Sequence, residues 1–197
     1  MQFDVIISGA GIVGLATALK IKEKKPDWRI AVLEKEQHPA MHQSSRNSGV
    51  IHSGIYYRPG SLRAVNCKRG YDLLLNFCRT HQIPHEICGK IIVAVEPAER
   101  TALDNIYQRG IQNQLIGIKK ISGAEAREIE PHVNAVEAVW VPQSGIVDYG
   151  AVARKYAELF EKMGGALFFQ QKVQQVLEQK GGVVVEANNS FQARVFV

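Results

Sequence analysis

The sequence predicts an α/β fold in which an open, mostly parallel sheet carries a mixed α/β insertion. Two observations at the start of the chain support this prediction. An apolar, β-branched run over residues 3–8 precedes a glycine-rich turn, and a helical pattern separates that turn from a second apolar run over residues 30–33. A third observation comes from residues 173–197, where the alternation of apolar and polar residues is typical of antiparallel strands that return to the first sheet.

The remaining elements follow from apolar periodicity. The first helix is expected from Leu15 to Lys24 and ends before Pro26, while Ser122 and Glu125 have the spacing of a capping box. Further helices are predicted over residues 61–80, over residues 99–112 and from Tyr149 onward. Further strands are predicted over residues 88–95, 136–141, 173–177, 182–186 and 191–197.

This order of elements divides the chain into two parts. Residues 1–84 and 151–197 are expected to form a Rossmann-like domain, which is incomplete, and residues 85–150 part of a second, mixed α/β lobe. The strand that includes residues 193–197 reaches the final residue with no turn, cap or tail after it. We therefore expect a chain that is truncated at its C-terminus; a short edge strand at a natural terminus is the alternative.

The composition is that of a globular protein. Of the 197 residues, 46% are hydrophobic and 22% are charged, which allows a sizeable core and argues against disorder. The lysines and arginines behind the net charge of +5 are scattered, so no nucleic-acid partner is expected. Cys67, Cys78 and Cys88 lack a CxxC spacing and are expected to be reduced thiols of a cytoplasmic protein. No apolar run approaches the ~20 residues that span a bilayer, which leaves peripheral contact with the inner membrane face open.

Three glycines carry the first functional prediction. Gly9 permits a tight turn, Gly11 lets the backbone approach a diphosphate, and Gly14 lets helix and strand pack closely. Glu34 ends the second strand, where a carboxylate can accept hydrogen bonds from ribose hydroxyls and would repel the 2′-phosphate of NADP. A Rossmann-like domain without a dinucleotide is the alternative, and this motif alone does not separate NAD from FAD.

The polar segment over residues 44–54, SSRNSGVIHSG, favours FAD over NAD. In an NAD-binding domain the chain usually continues here as an ordinary helix. This segment instead offers serine, asparagine and glycine residues, which supply hydrogen-bond donors with little bulk. Such a segment can run along a flat ligand and hydrogen-bond its polar edge.

Longer blocks give a family resemblance. The segments GAGIVGLATA, LEKE and SSRNSGVIHSGIYYRPGSLRA resemble the D-amino-acid-oxidase-like flavoprotein superfamily. Within it, NSGVIHSGIYYRPGSL (residues 47–62), CGKIIVAV (88–95) and SGIVDYGAVA (144–153) resemble the L-2-hydroxyglutarate oxidase/dehydrogenase family. The resemblance implies non-covalent FAD in a Rossmann-like domain beside a mixed α/β substrate domain. It also implies oxidation of L-2-hydroxyglutarate to 2-oxoglutarate, with electrons passing to oxygen or to a membrane quinone.

The resemblance, carried over by position, implies a set of cofactor-binding residues. Those that would hold the ADP half are Gly9, Gly11, Ile12, Val13, Gly14, Glu34 and Lys35. Those that would follow the pyrophosphate, the ribityl chain and the ring edge are Ser45, Arg46, Asn47, Ser48 and Gly49. Val173 would meet the adenine through its backbone. Members of the family are longer than this chain, and their later elements complete the ring site.

The implied reaction needs a base and groups that hold two carboxylates. His52 is the predicted catalytic base, because imidazole side chains titrate near neutral pH and this segment is expected beside the ring. Hydrogen bonding to the flavin, or packing, is the alternative for His52. The candidate substrate-binding residues are Arg58, Tyr57, Lys90 in an otherwise apolar strand, and Tyr149. A solvated role for Arg58 and a core role for Tyr149 are the alternatives.

Two other functions stay open at this point. One is another amine or glycerol-phosphate oxidoreductase of the same superfamily, and the other is a nucleotide-binding fragment without catalysis. The expected partners are a small 2-hydroxy acid and an electron acceptor, and no metal site is expected. Because an unpaired edge strand invites pairing, homo-oligomerisation is left open as well.

Overall fold

The computed structural model describes residues 1–197 and contains five α-helices and twelve strands. The helices are α1 (Ile12–Lys24), α2 (Leu62–Thr80), α3 (Arg100–Gln112), α4 (Gly123–Ile129) and α5 (Tyr149–Lys162). The strands are β1 (Gln2–Ser8), β2 (Ile30–Leu33), β3 (Val50–Ile51), β4 (His85–Glu86), β5 (Lys90–Ala94), β6 (Lys119–Ser122), β7 (Glu137–Val141), β8 (Gly145–Val147), β9 (Ala166–Phe168), β10 (Gln175–Gln179), β11 (Gly182–Glu186) and β12 (Ser190–Phe196). Two compact units result, unit 1 with residues 1–48 and 148–197 and unit 2 with residues 49–147.

Unit 1 is built on a six-stranded sheet in the order β10-β11-β12-β1-β2-β9. The strands β12, β1, β2 and β9 are parallel to one another, and β10 and β11 complete an antiparallel meander with β12. The register pairs Gln2 with Gln192 and Phe3 with Ala193, so the first strand of the chain lies beside the last one. The predicted α/β fold with a parallel sheet is confirmed.

The two faces of this sheet have separate cores. Residues Val5 and Ile7 of β1 pack with residues of helices α1 and α5, among them Leu15 and Phe160. The neighbouring Ile6 belongs to the other face, as expected from the alternation of side chains along a strand. On that face three phenylalanine rings cluster with centroids 5.2–6.5 Å apart, and they belong to Phe3, Phe168 and Phe191.

Unit 2 contains two three-stranded sheets, β3-β8-β4 and β5-β7-β6. In the second sheet the central strand β7 is antiparallel to both neighbours. Helix α3 supplies Leu103 to a core on one face of this sheet, which also holds Ile55 and Val139. Helix α4 covers the other face and begins with the predicted capping box, in which Glu125 donates its backbone N–H to Ser122 Oγ at 3.2 Å and accepts the Ser122 N–H at 2.7 Å.

The unit boundary differs from the expected domain boundary. Residues 49–84 belong to unit 2, although we expected residues 1–84 and 151–197 together and 85–150 apart. The physical reason is pairing, because β3 bonds to β8 and Ile55 is buried in the core under α3. Strands as short as β3 and β4, with two residues each, are too short to show a period in the sequence.

Other element boundaries differ by a few residues. Helix α1 begins at Ile12, three positions before the predicted Leu15, because its first turn starts inside the glycine-rich segment. The strands β6, β8 and β9 were not predicted, because β8 and β9 have only three residues each and β6 (KKIS) lacks the apolar run that marked the equally short β2. None of the helices combines the length and the apolar character that crossing a membrane requires.

Candidate functional site

The glycine turn, residues 9–14, joins β1 to α1 and requires glycine at positions 9 and 14 for two different reasons. Gly9 has a φ of +98°, a conformation that glycine adopts readily and other residues rarely. A Cβ atom added to Gly14 would lie 2.0 Å from the carbonyl oxygen of Gly9. The first turn of α1 therefore lies directly on the end of β1, and only glycine at position 14 allows this contact.

The backbone N–H groups of the glycine turn divide into two sets. The Ala10 N–H donates to Glu34 Oε2 at 2.7 Å, and the Ile12 N–H donates to Ser44 Oγ at 2.9 Å. The N–H groups of Gly11 and Val13 have no partner within the protein. Free N–H groups and the positive end of the helix dipole at this place fit a diphosphate.

Glu34 directly follows β2, and its carboxylate stabilises the glycine turn. Its side chain is buried, with 9% of the residue exposed, and its other oxygen accepts the Glu36 N–H at 3.0 Å. Each carboxylate oxygen has a second lone pair, so this arrangement leaves acceptors for ribose hydroxyls. The next residue, Lys35, is exposed and forms an ion pair with Glu36 at 2.9 Å.

The loop after β2 uses several of its predicted cofactor-binding side chains to hold its own shape. Ser45 Oγ donates to the carbonyl oxygen of Ala40, and Asn47 Nδ2 donates to the carbonyl oxygens of Gln43 and Ser44 at 2.8 and 3.0 Å. Their neighbours Arg46 and Ser48 are exposed. The loop is thus folded by its own side chains, and contact of residues 45–48 with the flavin stays a prediction.

Ser44 is a residue that the predicted set missed. Its hydroxyl accepts the Ile12 N–H, and it lies so close to Gly11 that a Cβ there would be 3.3 Å from Ser44 Oγ. Ala40 ties the same loop to the glycine turn, since its N–H donates to the Ala10 carbonyl at 3.0 Å. The polar run of residues 44–48 signalled a site, but it did not show which serine reaches the helix.

Val173 lies in a segment that runs along Glu34. The Gln171 N–H donates to the Glu34 carbonyl at 2.7 Å, and the Glu34 N–H donates to the Phe168 carbonyl at 2.8 Å. Val173 itself is half-buried against the phenylalanine cluster of unit 1. This position is compatible with an adenine next to the acidic residue, and the contact stays a prediction.

In unit 2, hydrogen bonds from the C-terminal end of helix α3 fix the loop between β3 and α2. Asn113 Nδ2 donates to the carbonyl oxygens of Gly54 and Tyr57 at 3.2 and 2.9 Å, and Arg109 Nη1 donates to that of Tyr56 at 3.4 Å. Ile55, between them, is fully buried in the core under α3. The loop that carries the predicted base is therefore fixed by its backbone.

His52 lies at the start of this loop. Its side chain is exposed, while its carbonyl oxygen accepts a hydrogen bond from Cys67 Sγ of α2 at 3.3 Å. Tyr57 is half-buried and Arg58 is exposed. The structure thus fixes the backbone of this residue and leaves the imidazole accessible.

Lys90 lies at the start of β5 and is half-buried. Its Nζ is 4.5 Å from the centroid of the Tyr56 ring, so the structure pairs it with a tyrosine next to the predicted Tyr57. Burial lowers the pKa of Lys90, and the nearby Cys67 sulfur opposes that shift only in part. Burial also raises the pKa of the Tyr56 hydroxyl.

Gly49 and Tyr149 complete the predicted residues. Gly49 opens unit 2 with a φ of +68°, and a Cβ there would be 2.9 Å from the Val147 carbonyl oxygen. Tyr149 is the first residue of α5 and belongs to unit 1, unlike His52 and Lys90, which belong to unit 2. Its role as a substrate contact stays a prediction.

Comparison with other sequences agrees with a dinucleotide-binding site in unit 1. The FAD dependent oxidoreductase family, DAO, matches residues 4–197. The chain is 46% identical over its whole length to an L-2-hydroxyglutarate dehydrogenase of Indibacter alkaliphilus, of which it covers 50%. It is 44% identical to the human mitochondrial L-2-hydroxyglutarate dehydrogenase over 84% of this chain and 36% of the human protein. The chain therefore spans half or less of the length of these relatives.

Solved structures share the fold. An FAD-bound, dithionite-reduced L-alpha-glycerophosphate oxidase from Mycoplasma pneumoniae superposes with a TM-score of 0.89 at 29% identity, covering all of this chain and 53% of that one. A glycine oxidase from Geobacillus kaustophilus superposes with a TM-score of 0.85 at 21% identity, over 99% of this chain and 54% of that one. At that lower identity the likeness shows the fold alone.

These matches agree with the geometry of unit 1. The glycine turn has free N–H groups for a diphosphate, Glu34 lies beside it, and a sequence family defined by FAD covers nearly the whole chain. The family match confirms the predicted FAD cofactor, and the identity with L-2-hydroxyglutarate dehydrogenases confirms the predicted family resemblance. The chain belongs to the DAO family of FAD-dependent oxidoreductases.

Proposed function

We propose that this chain is the FAD-binding part, with a portion of the substrate lobe, of an enzyme that oxidises L-2-hydroxyglutarate to 2-oxoglutarate. The observation that carries the proposal is the 46% identity with an L-2-hydroxyglutarate dehydrogenase, which extends over the whole chain. Unit 1 supplies the predicted ADP-binding residues, and unit 2 supplies His52 and Lys90.

The cofactor residues of unit 1 act through positions that the fold fixes. The Gly11 and Val13 N–H groups bind the diphosphate, and Glu34 binds the ribose while it keeps the turn in place. Residues 45–49 follow the rest of the cofactor. When bound, the flavin supplies a two-electron acceptor at N5 for the hydride from C2 of the substrate.

His52 acts as the base in this proposal. The imidazole takes the proton of the substrate hydroxyl as the C2–H electron pair leaves as hydride, so that the C2–O single bond becomes a carbonyl. The hydrogen bond from Cys67 to the His52 carbonyl, together with the two bonds from Asn113 to Gly54 and Tyr57, keeps the backbone of this loop in place. The accessible imidazole is then free to meet the substrate.

Arg58, Tyr57, Lys90 and Tyr149 are the proposed contacts of the two carboxylates. Oxygen or a membrane quinone is the proposed electron acceptor. A cytoplasmic location, with or without contact with the inner membrane face, is the proposed setting, and homo-oligomerisation stays open.

Anaerobic reduction of the flavin tests the substrate. The full-length protein that carries this chain is purified with its flavin, and L- and D-2-hydroxyglutarate are added separately without oxygen. We expect the L-isomer alone to bleach the flavin absorbance near 450 nm. A flavin that stays oxidised with the L-isomer would sink the substrate assignment.

A His52→Asn variant tests the base in the same assay. We expect the rate of flavin reduction to fall by about 100- to 10,000-fold, the usual contribution of a general base, while the flavin stays bound. If the rate of flavin reduction and its pH profile are unchanged, a group other than His52 removes the proton of the substrate hydroxyl. His38→Asn is a matched control, because His38 is an exposed histidine of the loop after β2.

The second candidate substrate is a glycerol phosphate. The superposition on an FAD-bound L-alpha-glycerophosphate oxidase, with a TM-score of 0.89 at 29% identity, favours it specifically. The bleaching assay separates the two, since only one of the substrates should reduce the flavin at low concentration. Purification of the 197-residue chain without flavin, and without reduction by either substrate, would favour a non-catalytic fragment.

A further inference from the structure

Two lysines of unit 2 lie on the same face of one sheet in different surroundings. Lys90 of β5 and Lys120 of β6 are each paired with a buried valine of β7, and those valines are two residues apart. Lys120 forms ion pairs with Asp104 and with Glu137, the second at 3.2 Å. Lys90, although more buried, has no carboxylate within ion-pair distance.

The groups around Lys90 satisfy its charge only in part. The Tyr56 ring attracts the ammonium through its face at 4.5 Å but is a weak acceptor for the three N–H donors. Burial lowers the pKa of Lys90, whereas the hydrogen bonds that Lys120 donates to the Asp104 and Glu137 carboxylates raise the pKa of Lys120. A half-buried ammonium without an anion is unfavourable, and an incoming anion would relieve that cost.

Cys67 links this lysine to the loop of the predicted base. Burial raises the pKa of the Cys67 thiol, and the nearby Lys90 ammonium opposes that shift only in part. The thiol donates to the His52 carbonyl at 3.3 Å. Gly54 packs on the same sulfur, since a Cβ there would be 3.4 Å from Cys67 Sγ. The Lys90 corner, which comprises Lys90, Tyr56 and Cys67, therefore adjoins the backbone of His52 within unit 2.

We propose that the Lys90 corner is a carboxylate-binding site, which takes one carboxylate of the dicarboxylic substrate through the Lys90 ammonium and the Tyr56 hydroxyl. The identity of the ligand rests on the proposed function, whereas the anion site rests on the geometry of unit 2. Tyr56 is 46% exposed, so its ring can shield one side of the ammonium while a ligand approaches from another. Its raised pKa keeps the hydroxyl protonated and able to donate.

The first test follows the lysine directly and needs no turnover. The flavin-loaded protein is reductively methylated with ¹³C-formaldehyde, and the Lys90 signal is assigned as the one absent from a Lys90→Arg variant. Titration with glutarate is expected to shift this signal and to raise the pKa of Lys90. A Lys90 signal that is unaffected by saturating glutarate overturns the proposal.

The second test measures recognition. In a Lys90→Met variant we expect KM for L-2-hydroxyglutarate to rise by about 10- to 100-fold with a smaller change in kcat, because a charge-assisted hydrogen bond to the substrate is lost. Lys90→Arg should recover part of this loss, and Tyr56→Phe should raise KM by about 3- to 10-fold. An unchanged KM in Lys90→Met overturns the proposal.

Controls separate the possible failures. Lys120→Met removes an ion-paired lysine from the same face and is expected to leave KM unchanged. If L-2-hydroxyglutarate does not reduce the wild-type flavin, the proposed function fails, and the glutarate titration still decides the anion site. If inorganic phosphate shifts the Lys90 signal at lower concentration than glutarate does, the Lys90 corner binds phosphate more tightly than a carboxylate, and the carboxylate assignment is overturned.

Discussion

The glycine turn of unit 1 and the Lys90 corner of unit 2 are built in opposite ways. In the turn, the chain is fixed by contacts that admit no side chain, such as Gly14 on the Gly9 carbonyl, and by a carboxylate that already accepts two backbone N–H groups. In the corner, a half-buried ammonium faces a tyrosine ring and a thiol, with no carboxylate. The comparison teaches that the glycine turn is held in shape by its own contacts and leaves backbone N–H groups free, whereas the Lys90 corner leaves a side-chain charge without a counter-ion.

The largest effect is expected at Gly14. A Gly14→Ala methyl group would lie 2.0 Å from the Gly9 carbonyl, so α1 must move away from β1 and the free N–H groups move with it. We expect flavin affinity to fall by about 100-fold or more and the free energy of unfolding to drop by about 1–3 kcal/mol. Flavin fluorescence titration and thermal unfolding measure the two effects.

Gly70→Ala is the matched control for this steric argument. Gly70 lies in α2, and a Cβ there would meet nothing within 4 Å. Because alanine favours a helix over glycine, we expect a gain of about 0.5–1 kcal/mol and no change in flavin affinity. Equal losses in both variants would contradict the idea that the turn depends on close contact.

An intermediate effect is expected at Glu34. Glu34→Gln keeps the shape of the side chain but replaces one acceptor oxygen with an NH₂ group. Because the Ala10 and Glu36 N–H groups each bond to a different oxygen of Glu34, one of the two hydrogen bonds is lost in the variant. We expect flavin affinity to fall by about 10- to 100-fold, as for loss of hydrogen bonds to a charged group. Glu36→Gln removes a half-buried carboxylate that pairs with Lys35 and His42, and it should change flavin affinity little. An equal loss of affinity there would show that net charge, not position, matters.

The smallest effect is expected on stability at the Lys90 corner. Because the folded-state pKa of Lys90 is below its usual value near 10.5, the charged lysine disfavours folding at pH values below the folded-state pKa, and this penalty disappears as pH rises to the unfolded value. Lys90→Met should therefore unfold at slightly higher denaturant concentration than the wild type at pH 7, and the difference should shrink toward pH 10.5. Chemical unfolding at several pH values measures it, and a less stable variant at pH 7 would contradict a charge kept for a ligand.

The same comparison explains how much the sequence could reveal. Gly9, Gly14 and Glu34 were predictable because a turn, a close approach and a strand end each demand a residue type at a fixed spacing. The pairing of Lys90 with Tyr56 was not, because it depends on a loop that Ile55 and Asn113 anchor to α3 through contacts far apart in sequence. A lysine within an apolar strand drew attention to position 90, but nothing local pointed to Tyr56.

Ser44 and the unit boundary show the same limit. The sequence marked residues 44–48 as a polar run, yet only the three-dimensional course of the loop puts Ser44, and not Ser45, on the Ile12 N–H. The boundary at residue 49 follows from the two-residue strand β3, whose partner β8 lies almost a hundred positions later. Long elements with a clear period were predicted to within a few residues.

The pairing of β1 with β12 has a consequence for how the chain is made. The central strand of unit 1 pairs Gln2 with Gln192, so this side of the sheet cannot close until the ribosome has released nearly all of the 197 residues. Unit 2 is a single continuous stretch and can fold as soon as residue 147 has emerged. We therefore expect unit 2 to fold during synthesis, while β1 waits with one open edge for the strand that completes it.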